Sequence, residues 1–532
     1  MDRRKEKELE KLSPFEVKNT LISYAEDSHD HAFINAGRGN PNWVATLPRA
    51  AFFELGSFAL LESKRTLTHL PGFGGLGEKK GVATRFKAFC TEHAASEGVQ
   101  FLEQALEFLT QKKQFDAETL LHEWVEGILG DNYPVPDRML ECSEKIVHEY
   151  LMQEMCAGDF PLPEGSFDLF AVEGGTAAMF YVFNSLKSNR MLNKGDTIAI
   201  GSPIFTPYIE MPELEDYALK KIEVMEDEKM AWSIPDSELK KLRDPKVKAF
   251  FLVNPSNPTS MKLDDSTLRT IASIAQDRHD LIILTDDVYG TFADNFTSLA
   301  MLAPHNTILV YSFSKYFGAT GWRLGVIGIH KENMFDQHIA SVSDELKDTF
   351  RIRYGGISLD PDSLKFIDRI VADSRAVALN HTAGLSTPQQ IQMTLFALLS
   401  LMKGGDEYKQ RAKHIVRKRY HALLKHSEGR EIVSEHDANG AFYYVEIDIQ
   451  KIAMETHGKD FFDWLKKKYE PIDLLIKLAR DNGVVVMPGA GFDAPDWSLR
   501  ISLANQSDKQ CEIIMDAIEA HINSYYEVFF TK

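Results

Sequence analysis

Lys315 is the residue around which a chemistry first assembles. It stands in the run Tyr311-Ser-Phe-Ser-Lys-Tyr-Phe-Gly-Ala-Thr-Gly-Trp-Arg-Leu-Gly325, just after the apolar stretch Thr307 to Val310, which reads as a strand buried on both faces. A lysine at a strand end can act as a Schiff-base nucleophile where its surroundings keep part of it neutral. Ser312 and Arg323 flank it and offer a hydroxyl donor and a charged fork, a set that suits a phosphate group. Lysine, hydroxyl and arginine around one phosphate point to pyridoxal phosphate. The plain alternative is a lysine in a surface loop, and only context separates the two.

The context is a series of strand-end turns. The run Ser-x-Ser-Lys-x7-Arg-x-Gly resembles the lysine motif of the fold-type I pyridoxal-phosphate enzymes, the aspartate aminotransferase superfamily, and the resemblance continues in order from about Asn35 to Ala504. It implies that Lys315 holds pyridoxal 5'-phosphate as a Schiff base and that Ser312 and Arg323 bind its phosphate. After the strand Phe167 to Val172, Glu173-Gly-Gly-Thr-Ala-Ala178 opens a helix; Gly174, Gly175 and Thr176 would form the rest of the phosphate cup, backbone N–H groups at a helix N-terminus favouring an anion. Gly174 stands where many relatives have serine, so backbone contacts must suffice there. Phe205, after the strand Thr197 to Gly201, fits the position of a ring stacked on the pyridine. Asn254-Pro-Ser-Asn-Pro-Thr259 matches a family signature, in which Asn257 binds the cofactor's phenolic oxygen and neighbours the substrate. In Thr285-Asp-Asp-Val-Tyr289, the resemblance assigns Asp286 to the pyridine nitrogen and Tyr289 to the phenolic oxygen. Leu499-Arg-Ile-Ser-Leu-Ala504 resembles the strand whose arginine, here Arg500, grips the substrate's α-carboxylate by two parallel hydrogen bonds. Tyr133, in the rigid piece Asn132 to Arg138, takes the place of a tyrosine that reaches a neighbouring subunit's phosphate.

Strands alternating with helical stretches argue for an α/β fold. The resemblance implies a large domain with a mostly parallel seven-stranded sheet sandwiched by helices, plus a smaller α+β domain. The expected boundaries are an N-terminal arm over 1–60, a large domain over 61–380 and a small C-terminal domain over 381–532. Gly440 to Ile447 and Gly483 to Phe492 read as strands of the small domain, and the run from His381 to Gln390 as the start of a long helix. Two helical insertions are expected, at about 99–130 and 331–380. In the first, Phe101, Leu102, Ala105, Leu106, Phe108 and Leu109 make an apolar face, and a second helix spans 117–129 with Asp116 as N-cap and Gly130 as stop. The aromatic tail Tyr525 to Phe530 suggests a docked C-terminus, at an interface or in a groove of its own chain.

The 532 residues, 44% hydrophobic, can fill two or more domains with sizeable cores. A net charge of −18 speaks against nucleic acid or an anionic membrane as partner. Four scattered cysteines make no metal pattern, so no metal is expected and reduced cytosolic thiols are the simple account. The charged N-terminus lacks the apolar segment of a signal peptide, and no run approaches the roughly 18 apolar residues of a spanning helix, so a cytoplasmic protein is expected.

Asn35-Ala-Gly-Arg-Gly-Asn-Pro-Asn-Trp43 resembles the segment that lies over the substrate in aminotransferases, and Arg38 places a cation where a carboxylate could reach it. Together with the length and the insertions, it narrows the resemblance to the branch that removes the β-carboxylate of L-aspartate as CO2, leaving L-alanine, with aspartate aminotransferase as side activity. That branch implies L-aspartate and 2-oxo acids as small-molecule partners and a homo-oligomer, at least a dimer and further an assembly of dimers. The alternative is a plain aspartate or other amino-acid aminotransferase. A cofactor-binding regulator usually carries a basic DNA-binding domain, which is missing from the N-terminal region. A nucleotide-binding protein would need a glycine-rich phosphate fingerprint after a strand, and none is found. Decarboxylation asks for a β-carboxylate held loosely, because a tight clamp stabilises the charge that must be given up. Arg38, on a segment expected to be mobile and helped by Lys18, suits that need.

Overall fold

The apolar runs of the sequence become the buried strands of the protein. The computed structural model describes residues 3–26, 33–375, 384–425 and 437–531. Among these, the strands are β1 (Ile34–Asn35), β2 (Phe167–Val172), β3 (Thr197–Ser202), β4 (Lys220–Met225), β5 (Val247–Val253), β6 (Ile282–Asp286), β7 (Thr307–Ser312), β8 (Gly325–His330), β9 (Tyr444–Asp448), β10 (Val484–Val485), β11 (Met487–Pro488) and β12 (Ser498–Ser502). Seven of them form one sheet in the order β2-β8-β7-β6-β5-β3-β4. Every residue of β2, β6, β7 and β8 is buried, which is why their sequences are largely apolar and do not alternate. This is the α/β architecture with a mostly parallel seven-stranded sheet that the motifs implied.

By its internal contacts the chain divides into two compact units, residues 1–42, 194–296 and 410–532 in the first, 43–193 and 297–409 in the second. In the first unit β4, β3, β5 and β6 are successive parallel neighbours. Parallel pairing needs crossover connections, so the strands' C-terminal ends all emerge on the same edge. At that edge lie Ser202, Val253 and Asp286, each followed by one of the chemistry-bearing turns. The same unit holds the antiparallel sheet β11-β12-β9 and the parallel pair β1-β10. In the second unit β8 runs antiparallel to both β2 and β7, which sets the end of β7 and the start of β8 side by side, Ser312 opposite Gly325.

The helix at Ala117–Leu129 has the ends read from the sequence. Asp116 accepts from the Thr119 N–H at 2.9 Å, and Gly130 closes the helix at φ +67°. The helix before it, Glu97–Glu107, is capped by Ser96 and runs on into a π turn at Phe108–Lys112. Phe101, Leu102, Ala105 and Leu109 of the expected apolar face are buried. Within 331–375 the chain forms helices at Met334–Ser341, Asp344–Tyr354 and Phe366–Asp373; 376–380 of that stretch lie outside the described residues. So do 381–383 of the run beginning at His381, whose helix is Thr387–Leu401.

Two strand expectations are trimmed. Of the 440–447 stretch only Tyr444 to Ile447 pairs along β12, and the strand runs on to Asp448. The stretch 483–492 splits into β10, which pairs with β1, and β11, which pairs with β12, before turning at Gly489–Phe492. The aromatic tail docks within its own unit. It belongs to the helix Asp508–Phe530, where Tyr525 donates to Asp473 Oδ2 at 2.5 Å, Tyr526 stacks on His457 at 3.9 Å and Phe529 meets Phe461 and Trp464.

Gly98 sits where the helices Glu97–Glu107 and Leu47–Thr66 cross; a Cβ there would lie 2.6 Å from the Ala50 carbonyl carbon. Overpacking against backbone costs about 1–3 kcal/mol. Gly98→Ala is expected to lower the thermal midpoint by several degrees, and an unchanged melting curve would show that the crossing can open freely.

Candidate active site

In the second unit the turn after β2, the end of β7 and the start of β8 build an anion cradle. Gly174, at φ +90°, precedes the helix Gly175–Ser188, whose first N–H groups have no partner inside the helix. A Cβ on Gly174 would fall 2.4 Å from Arg323 Nη2 and 2.9 Å from its Cζ. The guanidinium therefore occupies the space a serine side chain would need, which accounts for glycine at this position. Arg323 is itself left-handed, at φ +55°, and its Nη1 donates to the Thr320 carbonyl at 2.9 Å. Gly325 lies directly against the Gly174 backbone, where a Cβ would meet atoms at 2.6–3.0 Å. Thr176 is exposed on the first helical turn, and Lys315 is half-buried in the turn after β7.

The Ser312 hydroxyl lies 3.1 Å from Leu324 O and 2.9 Å from Ser314 Oγ, and its one proton can serve only one of them at a time. Ser314, 4% exposed and one residue before the lysine, adds a second hydroxyl to the same turn. Helix N-terminus, hydroxyls and guanidinium gathered at adjoining turns fit a phosphate ester. Tyr133 stands at the surface, 66% exposed, on a stretch that also presents Val135 at 79%.

The first unit gathers the remaining residues. Arg500 is 2% exposed, its guanidinium sandwiched between the rings of Tyr444 at 4.4 Å and Phe492 at 4.6 Å. Nη1 donates to Asn257 Oδ1 at 3.3 Å and Nη2 to Gly37 O at 2.9 Å, while Nε has no partner. Among the described residues no carboxylate pairs with Arg500, and burial lowers its proton affinity. Because Asn257 accepts through Oδ1, its Nδ2 is left to donate to a ligand.

Lys18, on the helix Pro14–Glu26, lies against Gly37, with its Cγ 3.2 Å from where a Cβ would be. Burial, then the charges of Arg38 and Arg500, pull the Lys18 pKa down. Three cations thus repel one another here, a repulsion that an arriving carboxylate would relieve.

Asp286, 7% exposed at the end of β6, accepts from Tyr208 OH at 3.2 Å and from the Val288 N–H at 3.3 Å. Tyr289 is buried and donates to Tyr444 OH at 3.1 Å; burial, then the neighbouring tyrosines, hold its phenol protonated. Phe205 is half-buried, edge-on to Phe15 at 6.2 Å.

Arg38 is exposed, and the backbone on either side of it is hydrogen-bonded to neighbouring segments. Ala36 N–H donates to Val485 O and Ala36 O accepts from Ser502 N–H, both at 2.8 Å; Tyr443 OH donates to Gly39 O at 2.7 Å, and Asn42 N–H to Ala504 O at 3.0 Å. Any looseness belongs to the Arg38 side chain. The sequence assigns no role to Tyr208, Tyr444 or Phe492, because nothing local says which ring faces which charge.

Residues 171–518 match the family described as aminotransferase class I and II. The chain is 49% identical over 523 residues, 98% of both chains, to the bifunctional aspartate aminotransferase and L-aspartate beta-decarboxylase of a Pseudomonas species. Its fold resembles the aspartate aminotransferase of Rhizobium meliloti, with a TM-score of 0.61 at 15% identity over 96% of each chain, and that of Thermus thermophilus, with 0.60 at 16% over 96% of each.

Gly174→Ala would force Arg323 out of its place and strain the φ +90° backbone. At about 1–3 kcal/mol, pyridoxal phosphate binding should weaken by about 10-fold or more, read by fluorescence titration of cofactor-free protein. Unchanged affinity would mean that the Gly174–Arg323 contact does not shape the cradle.

Proposed function

This chain belongs to the class I and II aminotransferase family, and on that footing we propose that it converts L-aspartate to L-alanine and CO2 with pyridoxal phosphate, keeping an aspartate aminotransferase side activity. The observation that supports this most is the 49% identity, end to end, to a protein carrying both activities. The Lys18–Arg38–Arg500 group agrees with it, since a dicarboxylate presents an anion at each end and these cations converge electrostatically.

Bound in the cradle, the cofactor supplies an electron sink for charge released first at Cα and then at Cβ. The chain's residues do the rest. Ser312, Arg323 and the N–H groups after Gly174 hold the phosphate, with the Ser314 hydroxyl beside them. Asp286, kept in place by Tyr208, keeps a proton on the pyridine nitrogen. Asn257 Nδ2 and the Tyr289–Tyr444 hydroxyl pair serve the phenolic oxygen, and Phe205 lies against the ring. Arg500 holds the substrate's α-carboxylate and so orients the Cα–H bond; its Nε is unengaged and Nη1 can exchange Asn257 for the carboxylate. Lys315 takes the Cα proton and later returns protons to carbon.

Lys18 and Arg38 hold the β-carboxylate. Arg38 does so with an exposed side chain on a tied backbone, so it attracts the anion without a rigid bidentate grip, and departure of CO2 is not opposed. The protein would act as a homo-oligomer, at least a dimer and in larger form an assembly of dimers, in the cytoplasm. The exposed Tyr133 would reach a neighbouring subunit. Among the described residues no helix is long and apolar enough to cross a membrane.

Incubation with pyridoxal phosphate and L-aspartate, without added 2-oxo acid, should give alanine and CO2 in equal amounts over many turnovers. A single burst of oxaloacetate that stalls until an oxo acid is supplied would instead establish a plain aminotransferase. Lys315→Ala should abolish turnover and alter the cofactor's visible absorbance. Arg38→Ala should raise the aspartate KM by about 10-fold, the equivalent of one lost charged contact of 1.4 kcal/mol, and change the ratio of alanine to oxaloacetate. If both KM and ratio stay as they are, Arg38 has no part in binding.

A further inference from the structure

Phe15, on the helix Pro14–Glu26, touches the candidate site and has no part in the steps above. The helix is seated by one face: Pro14, Val17, Leu21 and Ala25 are buried, at the three- and four-residue spacing of a single apolar stripe. It packs on the helix Pro471–Asn482 and on β10 and β11. Two further contacts fix how it is turned. Gly491 leaves the space that the Pro14 ring occupies, and the Arg480 guanidinium lies 4.4 Å from the centre of the Tyr24 ring. With the helix so held, Phe15 and Lys18 stand one turn apart, Phe15 against Phe205 and Lys18 against Gly37.

Phe15 thereby joins two groups that do have parts in the site. Its ring meets Phe205 edge to face, with centroids 6.2 Å apart at an interplanar angle of 83°, and Lys18 Nζ lies 5.6 Å from its centroid. Phe205 gives it a fixed support. On one side of Phe205 the Ile204 N–H donates to Phe492 O at 2.9 Å, and on the other Thr206 Oγ1 donates to Gly491 O at 2.6 Å.

Lys18 needs such a support. Its stem rests on Gly37, where a Cβ would meet Cγ at 3.2 Å and Cδ at 3.3 Å. The ammonium beyond is repelled by Arg38 and Arg500, and Glu16 attracts it less than they repel it. Left to these charges, a flexible lysine side chain would swing its head toward water. The negative π face of Phe15 attracts it on the side of the site. We propose that Phe15 is a positioning residue: braced by Phe205, it holds the Lys18 ammonium where a substrate's second carboxylate arrives, and so favours dicarboxylates over monocarboxylates. A monocarboxylate held by Arg500 alone gains nothing from a cation placed in advance, whereas a dicarboxylate does.

This rests on the reading of Lys18 as a contact for the β-carboxylate, and the test separates the two. Succinate carries a carboxylate at each end, and butyrate has a methyl group in place of one. The Kd of each would be measured by titrating the holoenzyme and following the cofactor's absorbance. The proteins compared are wild type, Phe15→Leu, Phe15→Tyr, Lys18→Met and the double variant Phe15→Leu with Lys18→Met. Phe15→Leu keeps apolar bulk and loses the ring. Its succinate Kd should rise by about 3-fold to 10-fold, with butyrate binding unchanged. Phe15→Tyr restores a π face and should bind succinate as wild type does. Once Lys18 is methionine, Phe15→Leu should add nothing, because Phe15 acts through the ammonium.

An equal rise for succinate and butyrate, or full addition of the two effects in the double variant, would mean that Phe15 contributes packing alone and would overturn the inference. So would a Phe15→Tyr protein that binds succinate no better than Phe15→Leu. If Lys18→Met weakens succinate and Phe15→Leu does not, the inference falls and the reading of Lys18 stands. If Lys18→Met itself binds succinate normally, that reading falls and takes the inference with it. Should Phe15→Leu fail to fold, Phe15→Met takes its place in the same comparison.

Discussion

A guanidinium taken out of water loses several kcal/mol of hydration unless the protein replaces it, and much of the first unit is arranged around doing so for Arg500. Two aromatic faces, an amide oxygen, a backbone carbonyl and a thioether stand in for water. None of these is an anion. The charge is kept soluble in the interior without being neutralised, which suits the proposed role of receiving a ligand's carboxylate. Each contact also ties a separate piece of chain to the same group: the turn after β5 through Asn257, the N-terminal segment through Gly37, β9 through Tyr444 and β11 through Met487.

The second unit solves the complementary problem of making room for an anion. Its means are subtractive. Gly174 yields its side-chain volume to Arg323, and Gly325 lets β8 press on the Gly174 backbone. The antiparallel β7–β8 register brings Ser312 opposite Gly325, so the hydroxyl turn and the arginine turn begin at one place. A serine at 174 would add a hydroxyl donor and displace a cation, and for a phosphate the cation is the stronger partner.

Tethering and looseness are divided by atom along the N-terminal segment. Backbone hydrogen bonds to β10, β12 and Tyr443 fix where Arg38 starts, and an exposed side chain decides how firmly it holds. A transaminating site gains from a rigid grip on both carboxylates, whereas a decarboxylating one must let go of the second.

The sequence by itself determined most strands of the large sheet, their terminal turns and the identity of most candidate ligand-binding groups. Each of these signals is local: an apolar run that ends at Ser202, Val253, Asp286 or Ser312 and a few contiguous residues after it, or a helix bounded by Asp116 and Gly130. Only the tertiary structure decided which of those groups are free to act. Tyr208 meets Asp286 across 78 residues and Asn257 meets Arg500 across 243. Ser312 is brought within 3.1 Å of a carbonyl twelve residues on. The tied backbone around Arg38 and the crowding of Lys18 likewise arise from contacts between distant segments. Residue type and spacing state what a side chain can donate or accept; hydrogen-bond valence and desolvation are settled by neighbours that the local pattern does not name.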